Sequence, residues 1–148
     1  MFSTQQTRHA APAPRPHSHA QGAPGAQALR VLIVEDEAIV AMSLESLIED
    51  FGFEVCAIAA TGAEAVALAT SLRPDFILMD VNLLGEMDGV EAARRARMAT
   101  DARIVFVTAY GGGEVLARIR ASVPDARVVA KPVSAPALLA AIEQMRPQ

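Results

Sequence analysis

Four separate stretches of the chain end in groups that can do chemistry. Glu35-Asp36-Glu37 follows the apolar run Leu29 to Val34, and Asp80 closes the run Phe76-Ile77-Leu78-Met79. Thr108 follows Ile104 to Val107, and Lys131-Pro132 follows Val128 to Ala130. Lys131 is the only lysine; every other basic residue is arginine, so it does not read as a generic solubility charge. Clustered carboxylates repel one another and call for a cation. Carboxylates, a backbone carbonyl and water are hard oxygen ligands, which suit Mg²⁺ or Mn²⁺. A cation beside Asp80 would also neutralise an incoming phosphoryl group. The Lys131 ammonium and the Thr108 hydroxyl could hold two of its oxygens. Such a constellation serves phosphoryl transfer, with Asp80 as the nucleophile that forms an acyl phosphate.

These groups need elements to bring them together. Short apolar runs bounded by turn residues read as strands buried on both faces. The pattern predicts strands over Leu29–Val34, Phe53–Ala60, Phe76–Asp80, Ile104–Val107 and Val128–Ala130. Helices alternate with them. The first runs from Glu37 to about Asp50, with Val40, Leu44, Leu47, Ile48 and Phe51 on its apolar side. Thr61-Gly62-Ala63-Glu64 is a capping box opening a second, whose buried side is Val66, Leu68, Ala69 and Leu72. Pro74 stops it. Asp88-Gly89-Val90-Glu91 opens a third, on which Arg94, Arg95 and Arg97 read as a solvated face. A fourth of about ten residues follows Gly113. Pro136 stands in the first turn of the last, where its missing N–H costs little. Five strands alternating with five helices imply right-handed crossovers and one parallel sheet with helices on both faces. Ligands in such a sheet bind beyond the carboxyl ends of the strands, where the four chemical groups lie.

The 148 residues allow one domain, and 52% apolar residues are ample for a core. No apolar run approaches a membrane span. One cysteine, Cys56, excludes an internal disulfide and suits a reducing, cytoplasmic setting. It lies in an apolar run and reads as a core residue. The net charge is −4, and the first 29 residues hold two arginines and no acid, so the remainder carries about −6. That balance argues against nucleic acid as a partner. Residues 1–28 are rich in Ala, Pro, Gln, His and Gly, show no helix or strand period, and contain no signal-peptide apolar region. They read as a disordered tail ahead of a folded body over 29–146. His9, His17 and His19 all lie in the tail, where no fixed geometry for a metal is expected.

The motifs together resemble the response regulator receiver domain. The resemblance rests on Val31-Leu32-Ile33-Val34-Glu35-Asp36-Glu37, Leu78-Met79-Asp80-Val81-Asn82-Leu83, Met87-Asp88-Gly89-Val90-Glu91, Val107-Thr108-Ala109 and Lys131-Pro132. It implies an α/β, flavodoxin-like doubly wound five-stranded parallel sheet of order 2-1-3-4-5. It implies that a histidine kinase or histidine phosphotransfer protein donates phosphate to Asp80. Asp36, Asp80 and the backbone carbonyl of Asn82 would hold Mg²⁺, with Glu35 acting through a water. The Lys131–Pro132 bond would be cis. Two departures stand out. Leu83-Leu84-Gly85-Glu86 replaces a shorter, proline-containing turn, so the loop is expected to be longer and looser. Val128 stands where receivers usually carry an aromatic switch residue. Tyr110, the only tyrosine, is the expected switch instead, and Phe106-Val107-Thr108-Ala109-Tyr110-Gly111 partly resembles the FAT GUY receivers of alphaproteobacteria.

Three other readings fit less well. A haloacid-dehalogenase-like phosphatase needs a second aspartate two residues after the nucleophile, and position 82 is Asn. A flavin-binding module needs a phosphate loop where three acids stand after strand one. A receiver that never takes phosphate is hard to reconcile with the full set of acceptor-site residues. Only three residues follow Met145, so no output domain, DNA-binding or otherwise, is expected. The expected role is a stand-alone response regulator, not an enzyme, that signals to a downstream protein by contact or serves as a phosphate sink. Deleting residues 1–28 should leave the melting temperature of the body unchanged within about a degree, because the tail has no apolar face with which to dock. A large fall on truncation would show that the tail packs on the body.

Overall fold

A computed structural model describes residues 28–109 and 112–146. The strands are β1 (Arg30–Val34), β2 (Glu54–Ala59), β3 (Phe76–Asp80), β4 (Arg103–Thr108) and β5 (Arg127–Ala130). The helices are α1 (Ala38–Asp50), α2 (Gly62–Leu72), α3 (Gly89–Ala99), α4 (Gly113–Ser122) and α5 (Ala135–Met145). All five strands are parallel, in the order β2-β1-β3-β4-β5. Elements begin and end within a residue or so of the expected positions. Apart from Ala28, the expected disordered tail lies outside the described residues, as does Tyr110. Among the described residues no helix is long and apolar enough to cross a membrane.

The two predicted capping boxes form, and Ser134 caps the last helix as well. Thr61 Oγ1 accepts from the Glu64 amide at 3.2 Å, Asp88 Oδ1 from the Glu91 amide at 2.9 Å, and Ser134 Oγ from the Ala137 amide at 3.2 Å. Each satisfies one of the donors a helix start leaves orphaned. The arginines of α3 are exposed but not merely solvated. Glu91 binds Arg94 at 2.7 Å and Arg95 at 2.9 Å, and Arg97 binds Asp125 at 2.9 Å. Hydrogen bonds from Arg94 and Arg95 bring the Glu91 carboxyl down to about 2.

The buried side of α2 differs from expectation. Gly62, Ala65 and Ala69 are buried, while Val66, Leu68 and Leu72 are half-buried. The neighbouring α3 also buries small residues, Ala92, Ala93 and Ala96. Two helices lined with alanine and glycine can approach closely, and the larger side chains are pushed to the flanks. The loop after β3 reaches the start of α2. Leu84 forms an isolated parallel bridge with Thr61, and a Cβ on Gly62 would lie 3.0 Å from the Met87 carbonyl oxygen. Gly85, at φ 102°, supplies the turn that lets this loop reach α2.

The sheet divides the apolar interior in two. Leu32, Val34, Ile77, Met79, Ile104 and Phe106 join α2, α3 and α4 on one face. Val31, Ile33, Leu78 and Val105 join α1 and α5 on the other. All five residues of β3 are buried, as expected of a central parallel strand. Cys56 is half-buried and its thiol donates to the Val31 carbonyl at 3.4 Å; burial pushes its pKa up, consistent with a packing role.

Gly89 is the tightest point of the fold. Its amide donates to the Val81 carbonyl at 2.9 Å, and a Cβ there would lie 1.8 Å from the Asp80 carbonyl oxygen. In a helix Gly→Ala normally stabilises by about 1 kcal/mol. At position 89 the sign reverses, because α3 must shift away from β3. Gly89→Ala should destabilise by about 3 kcal/mol in urea unfolding, the upper end of overpacking costs. A loss below about 0.5 kcal/mol would mean that the β3–α3 junction yields freely.

Candidate functional site

The site lies where β1, β3, β4 and β5 end. Parallel pairing sets Asp80 beside Val107 and Thr108 beside Ala130, so the last residues of these strands share one edge. β1 runs on into Glu35, whose amide donates to the Ala59 carbonyl at 2.9 Å and so stays on the sheet. The Lys131 amide donates to the Thr108 carbonyl at 2.9 Å, fixing the start of the β5–α5 turn. The Lys131–Pro132 bond is cis.

Lys131 joins the buried acids. Its ammonium lies 2.9 Å from Glu35 Oε2 and 3.3 Å from Asp80 Oδ2. The Glu35 side chain is fully buried, Asp80 is 5% exposed and Lys131 is 20% exposed. The remaining oxygens are met by backbone. Glu35 Oε1 accepts from the Glu37 amide at 3.2 Å, and Asp80 Oδ1 from the Asn82 amide at 3.0 Å. Burial pushes the Glu35 carboxyl above its ordinary 4.5, against the pull of the Lys131 hydrogen bond and the Glu37 amide. Burial pulls the Lys131 ammonium down, but its bond to Glu35 and the charges of Asp80 and Glu35 more than offset this and hold it above its ordinary 10.5.

Oxygens of Glu35, Asp36 and Asp80 lie within 4.8 Å of one another. A cleft of about 380 Å³ opens beside them. Asp36, Glu37, Asp80, Asn82 and Lys131 form its polar wall, and Leu83, Leu84 and Ala109 its apolar one. The clustered donors are all oxygen, and two of the three acids, Asp36 and Asp80, line the cleft, which fits a small hard cation. Glu35 does not line the cleft; it lies behind Asp80 as the partner of Lys131. Thr108 is at the right strand end but is 2% exposed, and Ala109 forms the cleft wall there. The sequence reading missed Gly89, whose missing Cβ lets α3 start directly against the Asp80 backbone; a glycine inside a capping box was the available signal.

The raised Glu35 pKa has a pH consequence. The folded state holds that proton more tightly than the unfolded chain, so this contribution is full below 4.5 and is lost as pH rises through the raised value. Removing Lys131 takes away an interaction that lowers Glu35, raising it further. Lys131→Met should therefore cost little near pH 4 and on the order of 2–3 kcal/mol near pH 7. That is below the roughly 3–5 kcal/mol of a fully buried pair because Lys131 keeps some solvent. Urea unfolding at both pH values measures this; equal losses would show that Glu35 does not depend on Lys131.

The comparisons with known proteins agree with this architecture. The family model of the response regulator receiver domain matches residues 31–143. The chain is 39% identical over 114 residues to the transcriptional regulatory protein PdtaR of Mycobacterium tuberculosis, covering 77% of this chain and 55% of PdtaR. It therefore spans about half the length of that relative. It is 35% identical over 117 residues to the chemotaxis protein CheY of Bacillus subtilis, covering 78% of this chain and 95% of CheY. Among solved structures, the signal receiver domain of a modulated diguanylate cyclase from Desulfovibrio desulfuricans superposes with a TM-score of 0.74 at 37% identity, covering 80% of this chain and 93% of that one. Five parallel strands in the order 2-1-3-4-5, acids and a lysine at their carboxyl ends, and a family match over most of the body agree: this chain belongs to the response regulator receiver family of two-component and phosphorelay signalling.

Proposed function

We propose that Asp80 accepts a phosphoryl group from the phosphohistidine of a histidine kinase or phosphotransfer protein, and that the chain then signals by contact with a downstream protein in the cytoplasm. The observation that carries this reading is the position of Asp80. It is nearly buried, yet it lines the cleft and faces the Lys131 ammonium at 3.3 Å. Oδ1 accepts from the Asn82 amide and Oδ2 from the Lys131 ammonium, and Oδ2, on the Lys131 side, is the candidate attacking oxygen. Its lone pair forms the new O–P bond as the donor's P–N bond breaks, and the electron pair leaves with the imidazole, which takes up a proton. Lys131 then shares its charge between Glu35 and a phosphoryl oxygen, and Glu35 keeps the ammonium aimed at the cleft. Thr108, one strand over, is the candidate for a second phosphoryl oxygen.

Asp36, Asp80 and the Asn82 carbonyl would hold Mg²⁺, with Glu35 acting through a water; the ion would neutralise phosphoryl oxygens beside the carboxylates. The acceptor is consumed once per phosphoryl group, so the protein is a signalling substrate and not a turnover enzyme.

Asp80→Asn should abolish incorporation of label from a small phosphodonor or a cognate kinase in the presence of Mg²⁺, and undiminished labelling would place the acceptor elsewhere. In a metal titration Asp36→Ala should weaken Mg²⁺ binding by about tenfold or more, and Glu35→Gln by much less. Equal losses would exchange the two roles.

A further inference from the structure

The helices are not equally anchored. Each of α1, α2, α3 and α5 buries at least three residues, whereas α4 buries one, Ile119. The anchoring of α4 is also uneven along its length. Ile119 and the C-cap residue Val123 are both 2% exposed, and the Val123 amide donates to the Ile119 carbonyl at 2.7 Å. The first half, from Gly113 to Arg118, packs on the core through the half-buried Val115, and Leu116 is half-buried as well. Its N-cap is Gly112, which offers no side-chain cap, and the space around Gly112 and Gly113 is open.

Among the described residues, an ion pair from Arg118 ties that loosely packed half to the rest of the fold. Arg118 Nη2 lies 2.8 Å from Asp88 Oδ2. The other oxygen of Asp88 caps α3 through the Glu91 amide at 2.9 Å. The next residue, Gly89, bonds the Val81 carbonyl and leaves no room for a Cβ against the Asp80 carbonyl. Asp88 is thus fixed to the backbone of residues 80 and 81 on one side and grips α4 on the other.

We propose that the Asp88–Arg118 pair is a latch that holds the N-terminal half of α4 against the loop following Asp80, and that this half swings outward about the Ile119–Val123 anchor when the latch opens. The pair is exposed, at 37% for Asp88 and 52% for Arg118, so it is weak enough to open often and is sensitive to salt. A device of that strength biases a two-state element without locking it. Any displacement of the β3–α3 junction moves Asp88, and with it the grip on α4.

Hydrogen exchange reads the latch directly and needs no phosphoryl group, so its outcome is independent of the Asp80 proposal. Asp88→Asn keeps a good helix cap while removing the charge, and Arg118→Gln removes the other partner. In each variant the amides of Leu116 to Arg118 should exchange about two- to fivefold faster, with α1, α3 and α5 unchanged. The double variant should be no faster than either single one. About 1 M NaCl should produce the same local acceleration in the wild-type protein. Unchanged exchange in both single variants, an equal rise in every helix, or additive effects in the double variant would each overturn the proposal.

Discussion

The Lys131 ammonium reaches Glu35 at 2.9 Å across 96 residues of sequence and Asp80 at 3.3 Å across 51. The remaining architecture has to satisfy this junction. Two carboxylates at 2% and 5% exposure would be costly to keep ionised without a positive partner beside them. That partner must come from a third strand, because neither β1 nor β3 carries a lysine. The crossover connections that place β5 two strands from β3, and the turn that begins at the Lys131 amide, are therefore electrostatic requirements as much as topological ones. The junction is also unfinished. It joins two acids to one base with a third acid, Asp36, beside them, and Asp36 and Asp80 line the cleft, where a cation or a phosphoryl-bearing partner can be received.

Much of this was legible because strand ends are legible. A run such as Phe76 to Met79 that stops at an acid declares both its burial and its polarity change, and β3 begins and ends where the residues say. Capping boxes were equally plain, since Thr61 and Asp88 act within four residues of themselves. Contacts distant in sequence were less so. The pairing of Thr61 with Leu84, and the Met87 backbone over Gly62, depend on how near α2 approaches α3. Periodicity favoured Val66, Leu68 and Leu72 along with Ala69 as the buried side, but the close approach buries only Ala69 of these, together with Gly62 and Ala65. Size decided there, and periodicity does not encode size.

The same limit applies to the site. Glu35, Asp36, Asp80 and Lys131 were each visible as strand-end groups, and the structure brings them together. Which acid faces the cleft was not visible in the strand pattern and was separated only by the family resemblance, because Glu35 and Asp36 are adjacent and differ only in which way the chain turns after β1. The Glu37 amide, folding back on Glu35 as α1 begins, makes that distinction.

The division of the interior by the sheet has a consequence for how such a module can diversify. Consecutive residues of one strand belong to different cores: Ile77 and Met79 pack with α2, α3 and α4, while Leu78 packs with α1 and α5. Changes of volume on one side are separated from the other by a layer of hydrogen-bonded backbone, and distant substitutions with no shared neighbours combine nearly additively. A lineage can therefore repack the α1–α5 side to suit one protein and the α2–α4 side to suit another, with little epistasis between the two histories. The strand ends are the exception. There Glu35, Asp80 and Lys131 from three strands meet in one network, so a substitution at one is felt by the others.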